Sequence, residues 1–205
     1  MGLTFTRLTF LILVAYSFLL VQTSQAECTG CSVVINNNGN HPNIPNNAVV
    51  CITANRTNPI NFNNRNNVQI CISEGASWNG SANSLSSLAS INNFGTLTVN
   101  NDFNGNWTIN NFGSLNLSIN LNSSKTVNNF SVLNIPRNFN VDGNLFSEGT
   151  LNIAGNATFN SNASIAIIGN MNISGKWTNN ASTSLAGGIR VSGNLQKIVR
   201  VQLKC

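Results

Sequence analysis

An 18-residue repeat runs through the middle of the chain and restricts its possible folds more than any other feature. The sequence INNFGTLTV at residues 91–99 returns as INNFGSLNL at residues 109–117 and as VNNFSVLNI at residues 127–135, then more loosely at residues 145–153. Each copy begins 18 residues after the one before it, with no insertion. Constant spacing of this kind is typical of a solenoid, in which each repeat is one turn of the chain.

Within each repeat, an apolar residue returns every six residues. These positions are 91, 97, 103, 109, 115, 121, 127, 133, 139, 145 and 151, and nine of the eleven are followed directly by Asn. Three short strands per turn, joined by corners, place every sixth residue inside, whereas a helix with 3.6 residues per turn does not. After residue 151 we predict a slip of four residues that aligns Leu151 with Ile165 through one shorter loop, and the 18-residue offset resumes between residues 162–175 and 180–193.

This double period predicts an all-β fold, namely a parallel β-helix (β-solenoid) with about 18 residues and three short strands per coil. Equivalent residues of successive coils then stack in rows. We expect Phe94, Phe112 and Phe130 to form an inward aromatic stack. Asparagine amides stacked along the axis form hydrogen-bonded ladders. The expected ladder rows are Asn92, Asn110 and Asn128, and Asn116, Asn134 and Asn152.

Two other β folds compete with this interpretation. An antiparallel sandwich would use Asn38-Gly39, Asn79-Gly80 and Asn104-Gly105 as hairpin turns, but hairpins do not require a constant 18-residue spacing. The left-handed hexapeptide fold prefers a small residue two places before each apolar one, where this chain has Trp107, Lys125 and Arg137. A right-handed helix is therefore favoured.

The first residues predict secretion. Arg7 precedes an uncharged apolar run at residues 8–21, and Ser24 and Ala26 place small residues at the two positions that a signal peptidase reads before the predicted cleavage point after Ala26. The run is shorter than the about 20 residues of a membrane span, and no second long apolar run follows, so the mature chain is predicted to have no transmembrane segment. We divide the chain into a signal peptide (1–26), a Cys-containing cap or irregular first coils (27–80), Asn-rich solenoid repeats (81–193) and a basic C-terminal strand or cap (194–205).

All five cysteines follow the predicted cleavage point. In an oxidising compartment Cys28, Cys31, Cys51 and Cys71 are candidates for structural disulfides, with three possible full pairings. Cys205 is the odd one, and predicts either an intermolecular bridge, as in a disulfide-linked dimer, or a chain cut from a longer protein.

Composition disfavours catalysis. Only 7% of the 205 residues are charged, 42 are Asn, and one is His. The five acids are scattered, His41 stands alone in an Asn-rich loop, and the predicted mature chain has nine basic and five acidic residues without a basic stripe. We therefore predict no enzyme activity, no catalytic residues, no cofactor, no metal and no nucleic-acid partner.

Two tryptophans provide the most suggestive binding feature. Trp107 and Trp177 share the pattern G-x-W-T after a turn. Turned outward on an Asn-rich face they could stack on sugar rings, and turned inward they would fill corners. Both lie at or beside six-residue apolar positions, so packing is favoured, and they are retained as candidate glycan-stacking residues.

The signal peptide, the Cys-bearing segment ICISEGASW at residues 70–78 and the NNFGTLTV coils together resemble Asn/Gly-rich β-helical adhesin-like surface proteins of Gram-negative bacteria, with repeats similar to those of filamentous haemagglutinin. The resemblance implies a secreted, non-enzymatic, cell-surface protein, adhesin-like or a structural spacer and display scaffold. Expected partners are cell-surface or matrix glycans, or host and neighbouring surfaces. The alternative is a carbohydrate-binding module of an exported polysaccharide-degrading system.

Overall fold

The protein is a parallel β-solenoid, as the sequence predicts. The computed structural model describes residues 28–62, 65–80, 82–83, 89–100, 106–121 and 125–203, so the predicted signal peptide and Cys205 lie outside the described residues. All strand pairs are parallel, and none of the described residues is helical.

The described strands are β1 (Val33–Ile35), β2 (Val49–Ile52), β3 (Ile60–Asn61), β4 (Gln69–Ile72), β5 (Ser77–Trp78), β6 (Ala82–Asn83), β7 (Ala89–Asn93), β8 (Thr96–Val99), β9 (Trp107–Asn111), β10 (Ser114–Leu117), β11 (Lys125–Asn129), β12 (Val132–Ile135), β13 (Phe139–Val141), β14 (Asn144–Ser147), β15 (Thr150–Ile153), β16 (Ala157–Phe159), β17 (Ser164–Ile167), β18 (Met171–Ile173), β19 (Trp177–Leu185), β20 (Ile189–Val191) and β21 (Leu195–Leu203).

These strands form three faces along the solenoid axis. The first face stacks in the order β1-β2-β4-β7-β9-β11-β14-β17-β19, and the second in the order β5-β8-β10-β12-β15-β18-β20. The third face contains β13, β16 and the start of β19, while β3 pairs with β6 in the early coils. Because β19 pairs with both β16 and β17, it continues around one corner and joins the first face to the third.

On the first face, the coil length is constant in the middle of the chain. Ile91, Ile109, Val127 and Leu145 are successive partners on the first face, each 18 residues after the last. The predicted slip that aligned Leu151 with Ile165 is wrong, because Leu151 pairs with Met171 and Leu145 pairs with Ile165. The coil is two residues longer there, not four shorter, and the extra residues lie in the loop between β16 and β17.

The core fills the space enclosed by the three faces. The six-residue positions that the structure describes between 91 and 151 are all buried, which confirms the sequence period. Strands such as β9 and β11 alternate buried and half-exposed residues, as expected when one side of a strand faces the core. Each coil therefore supplies inward residues from three directions to one continuous apolar column.

The aromatic row was predicted on the wrong side. Phe94, Phe112 and Phe130 do stack, but outside the coil, and Phe112 is 44% exposed. The inward position beside each of them is taken by Asn93, Asn111 and Asn129, all of which are fully buried. Alternation along the strand explains the reversal, since an inward residue at 91 places 93 inside and 94 outside.

The first coils continue the same stack and are cross-linked. All four candidate cysteines are paired, Cys28 with Cys71 and Cys31 with Cys51. Cys51 and Cys71 are direct partners on β2 and β4. The two disulfides therefore fasten the residues before β1 onto the first face. Across the described ranges, the chain contains no helix long and apolar enough to span a membrane.

Candidate binding surface on the second face

The outward side of the second face carries parallel rows of equivalent residues. Each row follows the solenoid axis, because the strands β8, β10, β12 and β15 are paired in register. Two of these rows stand out, one of amides on the strands and one of aromatic rings at the corner that precedes them.

The amide row forms a hydrogen-bonded ladder along the axis. Asn134 Nδ2 donates to Asn116 Oδ1 over 3.2 Å, and Asn152 Nδ2 donates to Asn134 Oδ1 over 3.0 Å. Asn172 extends the ladder by donating to Asn152 over 2.9 Å, and Asn116 ends it by donating to Thr98 over 3.4 Å. The predicted ladder is therefore confirmed and is longer than expected. The other predicted ladder, Asn92, Asn110 and Asn128 on the first face, is confirmed as well.

This ladder is the floor of a shallow groove of about 500 Å³, which we call the amide groove. Asn100, Ser118, Pro136, Ala154 and Ser174 form its rim at the next corner. Each primary amide has two N–H donors and two acceptor lone pairs, and an internal ladder position such as Asn134 uses one of each. The groove thus presents one donor and one acceptor per coil to the outside, at steps of about 4.8 Å.

The aromatic row forms an external ridge. Phe94 and Phe112 have ring centroids 5.0 Å apart with an interplanar angle of 8°, and Phe112 and Phe130 are 4.8 Å apart at 7°. Phe146, which lies on β14 of the first face as the partner of Asn128, meets Phe130 edge-on at 5.9 Å and 61°. We call these four residues the phenylalanine ridge. Because the faces of Phe112 are covered by its two neighbours, the ridge presents ring edges to solvent.

The internal side of the same corner explains why the ridge is so regular. Asn93 Nδ2 donates to Asn111 Oδ1 over 2.7 Å, Asn111 Nδ2 donates to Asn129 Oδ1 over 2.7 Å, and Asn129 Nδ2 donates to Ser147 Oγ over 2.9 Å. The same Nδ2 groups also donate to the carbonyl of the residue that starts the second-face strand of the following coil, such as the Val132 carbonyl bound by Asn111. This buried ladder fixes the chain direction immediately before each ridge residue.

Glycine allows the backbones of successive coils to approach closely at this corner. A Cβ on Gly113 would lie 2.2 Å from the carbonyl oxygen of Gly95 in the preceding coil. No side chain fits in that space, so the backbones approach closely at this corner. Phe112, the residue before Gly113, stacks on Phe94 of the same preceding coil.

The predicted glycan-stacking role of Trp107 and Trp177 is not compatible with their positions. Both indoles are buried, at 1% and 2% exposure. Trp107 faces Lys125, whose Nζ lies 5.5 Å from the indole ring centroid, and Trp177 meets Phe159 edge-on at 5.8 Å. Both tryptophans fill the core at the first residue of a strand, in agreement with the packing role that the sequence favours.

Sequence reasoning missed the outward direction of the phenylalanines and the buried asparagines. The signal was present in the repeat itself. In INNF, the period of two that begins at an inward Ile91 makes the first Asn outward, the second inward and the Phe outward. Hydrophobicity alone instead suggests that Phe belongs inside.

Within the described ranges, no group of three or more His, Cys, Asp or Glu residues is arranged to hold a metal ion. No protein-family model, curated protein or solved structure was found to match the chain.

Proposed function

We propose that the protein is a non-enzymatic, extracellular, adhesin-like β-solenoid that attaches to cell or matrix surfaces through its second face. The observation that carries this proposal is the phenylalanine ridge, in which large apolar side chains stand outside a rigid rod. Phe112 and Phe130 are 44% and 39% exposed. Contiguous exposed apolar groups of this kind mark interaction surfaces.

Other features of the fold also support a role in presenting the phenylalanine ridge to a partner. Parallel pairing along the whole axis and the internal amide ladder hold the ridge residues in fixed positions, so little conformational entropy is lost when a partner binds. The two disulfides support an extracellular location, since such bonds persist in oxidising compartments. The proposed function is that of the Asn/Gly-rich adhesin-like proteins of Gram-negative bacteria. Without adhesion, the same fold would serve as a structural spacer or display scaffold.

Attachment can be tested directly with the oxidised protein. Fluorescently labelled protein is applied to cells of the producing species and to an extracellular-matrix gel, and the retained fraction is measured after washing. We expect the double variant Phe112→Ser, Phe130→Ser to lose most of the retention. Val34→Ser is the matched control, because Val34 is also an exposed apolar residue, 47% exposed, but lies on β1.

Equal retention of the ridge variant and the wild type would refute the role of the ridge. Absence of retention on every surface would refute adhesion and leave the spacer role. Far-UV spectra of both variants establish that the solenoid is intact.

The alternative function is a carbohydrate-binding module, and the amide groove favours it. Amide donors and acceptors repeated at about 4.8 Å can bind the hydroxyl groups of an extended neutral glycan. Five described rungs, from Thr98 to Asn172, span about 19 Å.

Asn134→Ala tests this alternative, because it removes the central rung. Asn128→Ala is the matched control, since Asn128 also lies within a half-buried amide ladder in the same coil but on the first face. Binding of neutral oligosaccharides that weakens only in Asn134→Ala would favour the carbohydrate-binding module. The same loss in both variants would show that the groove is not the binding surface.

A further inference from the structure

A cavity of about 730 Å³ lies in the first coils, away from the second-face surface. Its walls come from residues within 39–43 and 56–61 and from Arg65, and they include Arg56 and His41 together with Asn43, Asn58 and Asn61. Among the described residues that line it, none carries a carboxylate. The cavity is thus cationic and rich in amides.

Arg56 is the most unusual of these residues. Its backbone pairs with Trp78, so it belongs to the row that places Trp78 and Leu97 in the core. Its side chain is 2% exposed, and its hydrogen bonds go to three backbone carbonyls, those of Asn37 and Gly39 from Nη1 and that of Pro59 from Nη2, each at 3.0 Å. Nε is buried and has no hydrogen-bond partner among the residues that the structure describes. Burial lowers the pKa of the guanidinium from its usual value.

A buried cation is normally offset by an anion. Carbonyl dipoles hold Arg56 in place, but no carboxylate of the described residues pairs with it. A negatively charged ligand in the cavity would supply the missing countercharge. Arg65 adds a second guanidinium, positioned by the 3.1 Å bond from Nη2 to Asn43 Oδ1.

His41 lines the cavity with both of its ring nitrogens hydrogen-bonded. Its Nε2 accepts the Asn61 backbone N–H at 3.0 Å, so in the neutral ring Nδ1 carries the proton and donates to the Pro42 carbonyl at 2.8 Å. The imidazole therefore forms a fixed wall. The two guanidinium groups provide the charge.

We propose that this cavity binds an acidic sugar, through the carboxylate or sulfate group of an anionic polysaccharide. Guanidinium groups suit both anions, because their paired N–H donors match two oxygens at once. The volume is in the range of whole small-molecule sites and exceeds what a single inorganic anion needs. The surrounding asparagines offer donors and acceptors for the hydroxyl groups of the same sugar. The site is separate from the amide groove and does not depend on the function proposed for the second face.

Calorimetric titration of the full, oxidised chain tests the proposal with four defined probes. Trigalacturonate carries carboxylates and its methyl ester is neutral, while sulfated maltotriose carries sulfates and maltotriose is neutral. We expect at least one anionic probe to bind, its neutral counterpart to bind at least tenfold more weakly, and the affinity to fall as salt is added. Preference between the two anionic probes identifies the source of the anion.

Arg65→Gln is the diagnostic variant, because Arg65 is half-exposed whereas Arg56 also ties three backbone carbonyls together. Loss of one charge-assisted contact should weaken binding about tenfold. Arg137→Gln is the matched control, since it removes the same charge from an exposed site on another coil, and it should change the affinity less than twofold.

Equal weakening by the two variants would overturn the proposal, because it would mean that net charge alone attracts the probes. Failure of both anionic probes to bind the wild type would overturn it as well. Should Arg65→Gln disturb the first coils, the preference of the wild type for each charged probe over its neutral counterpart still decides the question. The attachment and neutral-glycan assays remain independent of this result.

Discussion

The buried amide ladder makes a strong prediction about stability. Asn111→Ala removes three hydrogen bonds: the one that Asn111 Oδ1 accepts from Asn93, and the two that Nδ2 donates to Asn129 Oδ1 and the Val132 carbonyl. Asn93 Nδ2 keeps its 2.9 Å bond to the Ser114 carbonyl, but Asn129 Oδ1 is left buried without its donor. At about 1 kcal/mol for each bond, and more where a buried group is orphaned, we expect a loss of about 3 kcal/mol in the free energy of unfolding.

The neighbouring residue provides the matched control. Asn110 lies on the same strand and takes part in the outward ladder, where it donates to Asn92 Oδ1 and accepts from Asn128 Nδ2 at 2.8 Å each. Because this ladder is only partly buried, water can replace the lost partners, and Asn110→Ala should cost less than about 1 kcal/mol.

Urea unfolding of the oxidised protein, followed by far-UV circular dichroism, measures both variants. A third variant, Asn111→Leu, restores apolar volume without the hydrogen bonds and should remain destabilised. If Asn111→Ala and Asn110→Ala differed by less than about 0.5 kcal/mol, or if Asn111→Leu recovered the wild-type stability, the internal ladder would not be what stabilises this corner.

Three further predictions concern other parts of the solenoid. Phe112→Ala should lower the free energy of unfolding by about 1–2 kcal/mol through lost ring stacking. Phe139 is fully buried, so Phe139→Ala should lower it by about 3–5 kcal/mol. Equal losses for the two variants in urea titrations would contradict the outward position of Phe112. Gly149→Ala should destabilise by about 1–3 kcal/mol, since its Cβ would lie 1.9 Å from the Ser131 carbonyl oxygen, and an unchanged unfolding midpoint would refute that close approach. Reduction of the disulfide that spans 43 residues should lower the free energy of unfolding by about 4 kcal/mol. Hydrogen-exchange protection should be lost first in β1, β2 and β4, and a uniform loss of protection along the chain would contradict this localisation.

Repetition made the fold predictable from one sequence. When equivalent residues return at a constant interval, the rows they form follow from the period alone, and both asparagine ladders were found in this way. The set of paired cysteines followed from their number and the predicted oxidising compartment. The pairing itself depends on how the residues before β1 lie on the first face. The hand of the coil stays a prediction.

Prediction failed where the period weakens or where two patterns conflict. After β15, the six-residue position falls on Ala157, and this small residue does not stand out as part of the apolar pattern. The coil that leads to Ile165 is two residues longer, but from the sequence it looks four residues shorter. The cavity lined by Arg56 and Arg65 was not foreseen, because it is formed in the first coils, where the 18-residue repeat is absent. Bringing Arg56 and Arg65 to one cavity depends on how successive coils stack.

One repeated tripeptide connects the stability of the solenoid with its candidate binding surface. In Asn-Asn-Phe, the first Asn continues the outward ladder, the second joins the buried ladder, and the Phe joins the ridge. These roles depend on alternation, so shifting the register by one residue would exchange the inward and outward rows of that strand. The chain itself shows the permitted change, because its two extra residues lie in the loop between β16 and β17 and leave the pairing of Leu145 with Ile165 intact. Length can therefore vary at the corners, while the strands must keep their register for the ridge and groove rows to stay aligned.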